Sequence, residues 1–225
     1  MNTEIQIILL SLQIALLATI GILPIGLLLG WILARKQFVG KSFVDALVNI
    51  PLVLPPVVTG YFLLILLGPN GYIGYFLAHY FAITLAFHWT GAVLAAGIVS
   101  LPLLVRSIRV AIENVDPKLE DAARMLRANE RQILWQITFP LSINGIVAGV
   151  VLAFARALGE FGATIVFASN IPEKTQTIPL AIFTFLNQPD GESKMQFLVI
   201  ASIGFAYISM LVNEYLLRRF RNATP

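Results

Sequence analysis

The sequence predicts an all-α protein that crosses a lipid bilayer several times, and three observations carry this prediction. Hydrophobic residues make up 58% of the 225 residues and charged residues only 12%, where a soluble domain has roughly 25% charged residues. Uncharged runs fill residues 46–105 and 132–155, and each is long enough to cross a hydrocarbon core of about 30 Å. Eleven charged residues are concentrated between Arg106 and Arg131, which marks a loop exposed to water.

Composition also argues against several classes of function. The chain has no cysteine and a net charge of +3, so we expect no disulfide frame and no cysteine metal site. Its basic residues bracket apolar spans instead of forming the basic patch of a nucleic-acid-binding protein. A G-x-x-x-x-G-K-[ST] phosphate loop, a nucleophile–base pair and a metal-ligand cluster are all lacking from the sequence. We therefore expect no cofactor and no enzymatic activity, an intramembrane enzyme included.

The first predicted span covers Ile5–Ala34. Glu4 precedes this run and Arg35-Lys36 follow it, which is the reverse of the charge order around a cleaved signal peptide. We therefore predict a retained span whose N-terminus lies outside and whose Arg35 lies inside. Pro24 is expected to kink the helix without ending it.

A short amphipathic helix is predicted over Gly40–Ile50, on the inner face. Prolines interrupt the following apolar run, from which we predict a second span over about Leu52–Leu67. The turn signal Gly68–Gly71 should end this span on the outer face. Tyr72–Trp89 is rich in aromatic residues, which favour the interface, so we predict an outer-face segment, such as a short helix, and no full crossing.

The remaining spans are predicted over Thr90–Val105, from Pro140 to about Phe167, and over Gln196–Leu217. Between the fourth and fifth spans, Asn170–Lys194 is polar and proline-rich and is expected to be an outer loop. The apolar run Thr177–Leu186 inside that loop predicts a helix that is tucked back against the bundle.

The five spans give an N-out, C-in topology that agrees with the positive-inside rule. Only Lys174 and Lys194 fall outside, and Arg156 falls within the membrane. Twelve basic residues fall inside on this topology: Arg35, Lys36, Lys41, Arg106, Arg109, Lys118, Arg124, Arg127, Arg131, Arg218, Arg219 and Arg221. A sixth crossing made from Tyr72–Trp89 would reverse every later loop and is excluded by this charge count.

The charged loop, about residues 111–139, contains a recognisable helix start at Asp116-Pro117. Leu119, Ala122, Ala123 and Leu126 then follow at helical spacing and predict an apolar stripe. Glu120 and Arg124 stand four residues apart and can form an ion pair. A slim helix of this kind fits a groove on another protein, although one that rests on the lipid surface is an equal alternative. A second helix is predicted over Glu130–Ile137.

The loop resembles the coupling motif of ATP-binding-cassette (ABC) importer permeases. That motif is Glu-Ala-Ala, three residues, Gly, nine residues and Ile-x-Leu-Pro. This chain has Asp121–Ala123, three residues, Arg127, nine residues and Ile137–Pro140, with Glu120 one place before the motif. Arg127 replaces the glycine that lets the family's chain turn, and Phe139 replaces leucine. Because a left-handed backbone is costly for Arg, Ala128-Asn129 offers an alternative place for the turn.

The resemblance extends over nearly the whole chain. Residues 52–61 (LVLPPVVTGY) and 154–164 (FARALGEFGAT) are similar to the second and fourth spans of molybdate ABC transporter permease subunits. Residues 170–172 (NIP) and 176–179 (QTIP) are similar to that group's outer loop. The resemblance implies one permease domain over residues 1–225 with the type I ABC importer fold. Sulfate permeases are similar but usually carry variants of these segments.

The resemblance also implies a function and partners. The chain would be the channel-forming subunit of a molybdate importer in a bacterial inner membrane. A second copy would complete the pathway, ATPase subunits would dock on the cytoplasmic loops, and an extracytoplasmic binding protein would deliver the anion. Its coupling residues would be Leu119, Glu120, Asp121, Ala122, Ala123, Leu126 and Arg127. Open alternatives are a permease for sulfate, tungstate, another small anion or an amino acid, and a stand-alone channel or secondary carrier.

Four polar residues in the spans are candidates for the pathway or its gate. Arg156 and Glu160 form the one charged pair inside a predicted span, and they stand four residues apart. They could lie beside the anion's route, or they could form a salt bridge that fixes helix packing, which we favour. Thr59 and Ser100 could line a water-filled cavity, with ordinary packing as the alternative. His79 and His88 match no metal-ligand spacing.

Overall fold

The computed structural model describes residues 3–221, and the described residues form eleven α-helices and one π-helical turn, without a β-strand. This confirms the all-α class. In chain order the elements are α1 (Thr3–Arg35), α2 (Lys41–Val53), α3 (Pro56–Leu67), α4 (Tyr72–Phe81), α5 (Trp89–Glu113), α6 (Pro117–Met125), α7 (Glu130–Ile133), the π-helical turn (Leu134–Thr138), α8 (Phe139–Leu158), α9 (Gly162–Phe167), α10 (Ile178–Leu186) and α11 (Glu192–Arg221).

Four of the described helices are long and apolar enough to cross a membrane. They are α1, α5, the continuous helix from α7 through α8, and α11. Counting α2 and α3 together as one bent pair raises the number to five, in agreement with the five spans predicted from the sequence. Pro24 lies inside α1 without ending it. The helix α4 has 10 residues, which reach only about 15 Å, so the prediction of a short segment here is confirmed.

The predicted second span is wrong in its course, because Leu52–Leu67 is not one helix. The helix α2 runs on through Pro51 to Val53, and the chain then bends by 112° before α3 begins at Pro56. Pro55 and Pro56 stand at the start of α3, where the missing N–H of proline costs no intrahelical hydrogen bond. The prolines therefore separate α2, a helix that has no buried residue, from α3, a helix of 12 residues that packs Thr59, Gly60 and Leu63 into the bundle.

Further helix boundaries differ from the predicted ones, since α11 begins at Glu192 and not at Gln196, and two more lie beside the charged loop. The helix α5 does not end at Val105 but continues to Glu113, since Arg106 and Arg109 are good helix formers. The loop helix predicted over Glu130–Ile137 does not stop before Pro140. It passes through the π-helical turn directly into α8. In that turn the spacing of the backbone hydrogen bonds already changes, and Pro140, which has no N–H to donate, follows at the start of α8.

The predicted fourth span is also broken, and this break lies deep in the bundle. The helix α8 ends at Leu158, and residues 159–161 separate it from the six-residue helix α9. The start of α9 packs against the start of α3: a Cβ at Gly162 would lie 2.8 Å from Pro56 Cβ. The two broken helices of the chain therefore meet at their breaks.

Helix contacts fix the relative directions of the spans. Gly97 of α5 packs on Ile22 of α1, and Gly26 and Gly30 of α1 pack farther along, on Leu104 and Ile108, so α1 and α5 run parallel. Because α1 and α5 run in the same direction, the segment between them, which contains α2 and α3, must carry the chain back across the bundle. We call the end that carries α6 the loop end and the other the opposite end.

The remaining elements agree with the alternation of spans in the predicted topology. The helix α8 runs antiparallel to α5, since Gly145 packs on Ala111 and Gly149 on Ser107. The first residues of α11 lie beside Glu4 and Ile5 of α1, so α11 begins at the opposite end. There α10 folds back against the bundle as predicted, and its Ile178 N–H donates to Ser11 Oγ of α1 at 2.8 Å.

Candidate functional site

The charged loop at the loop end begins with a capped helix, α6, as the sequence predicts. Asp116 Oδ1 accepts a hydrogen bond from the Lys118 N–H at 3.0 Å, and Pro117 occupies the first turn. The cap satisfies one of the N–H groups that a helix start leaves without a partner. A short helix of nine residues is thereby held at a defined starting point.

The apolar stripe of α6 is turned away from the bundle. Leu119 and Ala122 are exposed and Ala123 is half-buried, while Leu126 at the end of the helix is 84% exposed. Met125 beside it is 86% exposed, and the sequence pattern missed it because it falls outside the spacing of the stripe. Large apolar side chains gathered at an exposed helix end are typical of a surface that another protein covers.

The turn after α6 is made by Arg127 itself, and the alternative at Ala128-Asn129 is wrong. Arg127 takes a φ of 64°, the left-handed conformation for which glycine is normally used. The Ala128 N–H donates to the Ala123 carbonyl at 3.0 Å, and the Arg127 N–H donates to the Arg124 carbonyl at 3.0 Å. This pair of bonds is a Schellman motif, so the helix end keeps the geometry of a glycine turn without the glycine.

Asn129 has a different role from the one expected of it. It has a φ of −80° and caps α7, where its Oδ1 accepts from the Gln132 N–H at 2.8 Å. The Gln132 side chain accepts in return from the Asn129 N–H at 2.9 Å, which completes a capping box. The connection from α6 to α7 is thus fixed at both of its ends.

Charged side chains on the loop are cross-linked through Arg124. Its guanidinium contacts Asp121 at 2.7 Å and Glu130 at 2.8 Å, and it lies 3.8 Å from Glu120. The predicted Glu120–Arg124 pair is therefore present but is the longest of the three. Hydrogen bonds to Glu130 and Asp121 raise the pKa of Arg124 above its ordinary value, so this side chain stays positively charged.

Glu120 is the functional candidate whose surroundings the sequence did not reveal. It is only 5% exposed, although its neighbours Leu119 and Asp121 are exposed. Its Oε1 accepts from Arg35 Nε at 3.0 Å and from Thr138 Oγ1 at 2.8 Å. Arg35 is 85 positions away in the chain, and no local pattern could have paired the two residues.

The pair in the broken span is present as predicted, but Glu160 is not in a helix. Arg156 Nη1 contacts Glu160 Oε2 at 2.6 Å, and Glu160 Oε1 accepts from the Ala163 N–H at 2.8 Å. Glu160 is 2% exposed and lies between α8 and α9, whereas Arg156 reaches the surface of the chain. The carboxylate thus satisfies one N–H in the first turn of α9 and holds Arg156 at the break.

The other candidate polar residues lie in different surroundings. Ser100 is fully buried, and its hydroxyl donates to the Ala96 carbonyl of its own helix at 2.7 Å. Thr59 is buried in the first turn of α3, and its Oγ1 makes no hydrogen bond within the described residues. His88 caps α5 locally through Thr90, and His79 stacks on Tyr75. Within residues 3–221 no three His, Cys, Asp or Glu side chains are grouped to hold a metal ion.

A model of one protein family matches most of this chain. The family is described as "Binding-protein-dependent transport system inner membrane component", and the match covers residues 26–222. It includes about the last third of α1, every later span and the whole charged loop.

Curated relatives match over nearly the full length. The chain is 53% identical to the molybdenum transport system permease protein ModB of Escherichia coli (strain K12) over 217 residues, 96% of this chain and 95% of that protein. Identity to the protein of the same description from Haemophilus influenzae is 47%, over 97% of this chain and 95% of that one. The sulfate transport system permease protein CysT of Salmonella typhimurium is 40% identical over 165 residues, 73% of this chain and 59% of that protein.

Solved structures share the fold at low sequence identity. A chain of the MetNI methionine ABC transporter, in an inward-facing conformation, superposes with a TM-score of 0.75 at 15% identity, covering 96% of this chain and 95% of that one. A chain of a bacterial alginate ABC transporter, in complex with a periplasmic protein that holds an alginate pentasaccharide, gives a TM-score of 0.77 at 17% identity, covering 97% and 80%.

Proposed function

The chain belongs to the family of inner membrane components of binding-protein-dependent transport systems, and from this premise we propose that it is the permease subunit of an ATP-driven molybdate importer. ATP would be hydrolysed by a separate ATPase subunit that binds the loop of residues 111–139. An extracytoplasmic binding protein would deliver the anion to the opposite end. The chain itself would supply the path across the membrane and the contacts that open it.

One observation carries this proposal furthest, namely the exposed apolar end of α6. Leu119, Met125 and Leu126 are exposed on a helix that is short, capped and fixed by a Schellman turn. A loop that only rested in water would have no reason to hold apolar side chains in a rigid, outward position. Membership of a binding-protein-dependent transport family supports an ATPase as the partner of this surface. Identity of 53% over 96% of the chain to a molybdenum permease supports molybdate as the substrate.

We place the loop end in the cytoplasm, which gives the N-out, C-in topology. Parallel packing of α1 and α5 brings Arg35, Lys36 and the basic residues of the loop to one end. Lys174 and Lys194 belong to segments at the opposite end. The positive-inside rule then supports the cytoplasmic side for the end with more basic residues.

The pathway would form between two copies of this chain, close to the broken helices. Irregular backbone at membrane depth is tolerated against protein or a water-filled cavity, and here two breaks lie side by side. Arg156 reaches the surface beside them, and its charge is balanced by the carboxylate of Glu160 at 2.6 Å. A neutralised arginine can attract an oxyanion without holding it permanently. Thr59 lies in the first turn of α3 and would offer a hydroxyl to the same region, while Ser100 serves packing.

Uptake of labelled molybdate tests the proposed substrate. The chain, its ATPase and its binding protein are reconstituted into vesicles, and ATP-dependent accumulation is measured with and without excess sulfate. We expect molybdate to accumulate only when ATP and the binding protein are present. Excess sulfate should reduce this accumulation only weakly. Accumulation of sulfate in preference to molybdate would assign the chain to the sulfate group, to which it is 40% identical over 73% of its length. Accumulation without an ATPase would contradict the proposal and favour a channel or secondary carrier.

A further inference from the structure

The helix α6 is joined to the rest of the chain by a single buried side chain. Among the residues of α6, all of which lie in the described range, only Glu120 is buried. Its carboxylate is bonded to Arg35 Nε at 3.0 Å and to Thr138 Oγ1 at 2.8 Å. Arg35 is the last residue of α1, and Thr138 is the last residue of the π-helical turn that leads into α8. One carboxylate therefore joins the loop helix to two spans.

Arg35 strengthens this junction by contacting the chain just before α6. Its Nη2 donates to the Val115 carbonyl at 3.0 Å, next to the cap residue Asp116. The guanidinium thus holds both the entry to the loop and the first turn of α6. A guanidinium group that donates to two acceptors in this way fixes orientation as well as distance, because the group is planar.

Thr138 connects the same carboxylate to α8. Its hydroxyl donates to Glu120, and its carbonyl accepts from Ser142 Oγ at 2.6 Å, one turn into α8. The residue stands at the end of a π-helical turn, an element that is rare and is found frequently at functional sites.

A polar cavity of about 300 Å³ lies beside this junction. Its lining includes Trp31, Lys36, Arg124 and Glu130 besides the three junction residues. The cavity leaves part of the space between α6 and the ends of α1 and the π-helical turn unfilled, although apolar residues such as Ala34 and Ile133 also line it. Besides the exposed bridge from Arg124 to Glu130, the directional bonds of Glu120 join α6 to α1 and to the π-helical turn. A displacement of α6 must either move Arg35 and Thr138 with it or leave a buried carboxylate without partners.

We propose that Glu120 is a positioning residue that transmits the movement of α6 to α1 and α8. This inference rests on the proposed function, in which an ATPase moves α6. Its contribution differs from that of the exposed face, because Leu119, Met125 and Leu126 bind the ATPase whereas Glu120 passes the movement on. Loss of the exposed face would release the ATPase. Loss of Glu120 would leave the ATPase bound and still hydrolysing ATP, but less molybdate would be transported per ATP.

The test compares variants of the complete complex in vesicles, where molybdate transported per ATP hydrolysed is measured together with the amount of ATPase bound. Glu120→Gln keeps the shape but loses the ion pair with Arg35, and Thr138→Val removes one hydrogen bond while leaving both charges. We expect Glu120→Gln to bind normal amounts of ATPase and to lower the transport per ATP by about tenfold, the factor for one charge-assisted hydrogen bond. Thr138→Val should have a smaller effect in the same direction.

The matched control is Glu214→Gln, which removes an exposed carboxylate that pairs with Arg218 in α11. It should leave the ratio unchanged. The double variant Arg35→Glu with Glu120→Arg restores opposite charges and should recover part of the lost ratio, which a general weakening of the fold would not. If Glu120→Gln does not fold, Thr138→Val alone decides.

Three outcomes would overturn the inference. The first is a wild-type value of molybdate transported per ATP in both Glu120→Gln and Thr138→Val. The second is a loss of ATPase binding in step with the loss of transport. The third is a folded charge-reversal variant that recovers none of the transport per ATP. Failure of the proposed function itself is distinguishable, because the wild-type complex would then show no ATP-dependent uptake of molybdate.

Discussion

Arg127 shows at the scale of one residue how this chain tolerates an unfavourable backbone. A left-handed backbone costs an L-residue roughly 1–2 kcal/mol, and here the Schellman bonds of Arg127 and Ala128 hold it in place. The surrounding helix end is therefore stable enough to impose the conformation on a residue that disfavours it.

Replacing Arg127 with glycine should stabilise this turn. We expect Arg127→Gly to slow hydrogen exchange at the Ala128 amide by about fivefold, since removing the left-handed strain contributes ~1 kcal/mol. The control Arg127→Ala removes the charge but keeps the Cβ, and it should leave the exchange rate near that of the wild type. Equal rates in the glycine and alanine variants would show that the backbone is not strained at this position.

Glu120 illustrates what one residue can hide from sequence reasoning. Its charge and its place before the motif suggest an exposed partner for Arg124, and that pair is the weaker one at 3.8 Å. The closer partners, Arg35 and Thr138, come from α1 and the π-helical turn. Spacing reports neighbours along one helix, whereas this burial arises only when three distant segments meet.

At the scale of elements, the two broken helices are the part of the fold that hydropathy could not reveal. The apolar run continues through residues 54–55, and around residues 159–161 only Arg156 and Glu160 interrupt an otherwise apolar stretch, so a hydropathy pattern indicates one span in each case. Pro24 and Pro102 remain inside α1 and α5, while Pro55 and Pro56 mark a bend of 112°. The same residue type gives opposite results because neighbouring helices decide whether a freed carbonyl is satisfied.

The contact between the two breaks predicts a sharp difference between two glycine substitutions. A Cβ at Gly60 would lie 2.6 Å from the Ala163 carbonyl oxygen and 3.0 Å from Val166 Cβ, so Gly60→Ala must push α3 away from α9. Overpacking of this kind costs about 1–3 kcal/mol. We expect Gly60→Ala to have a lower midpoint of thermal unfolding than the wild type. Unfolding is measured by tryptophan fluorescence of the chain in lipid nanodiscs.

The matched control is Gly21→Ala, because a Cβ at Gly21 meets no heavy atom of the described chain within 4 Å. Alanine favours a helix over glycine by up to about 1 kcal/mol, so this variant should unfold at the wild-type temperature or above it. If Gly60→Ala unfolds no earlier than Gly21→Ala, the close packing of α3 on α9 is wrong.

For the whole molecule, the number and alternation of spans could be predicted because charge and hydropathy act along the entire chain. The parallel packing of α1 and α5 agrees with the predicted return of the chain between them. The absolute orientation depends on the positive-inside rule, and the chain is well suited to a direct test because it contains no cysteine.

Single cysteines at the two ends should report the orientation. Val39 at the loop end and Lys194 at the opposite end are both exposed. We expect a membrane-impermeant maleimide to label Lys194→Cys in intact spheroplasts and to label Val39→Cys only after the membrane is opened. The reverse pattern would place the loop outside the cell and exclude an ATPase partner on it.

The most direct test of the central claim, that α6 binds a separate ATPase, is co-purification of the ATPase with the tagged chain. Leu126→Glu places a charge on the exposed end of α6 without disturbing a buried contact. Val39→Glu makes the same kind of change at a fully exposed residue on the same end of the bundle. We predict that the ATPase is retained by the wild type and by Val39→Glu and is lost from Leu126→Glu, while all three chains reach the membrane in equal amounts. Retention by Leu126→Glu at the wild-type level would contradict the account.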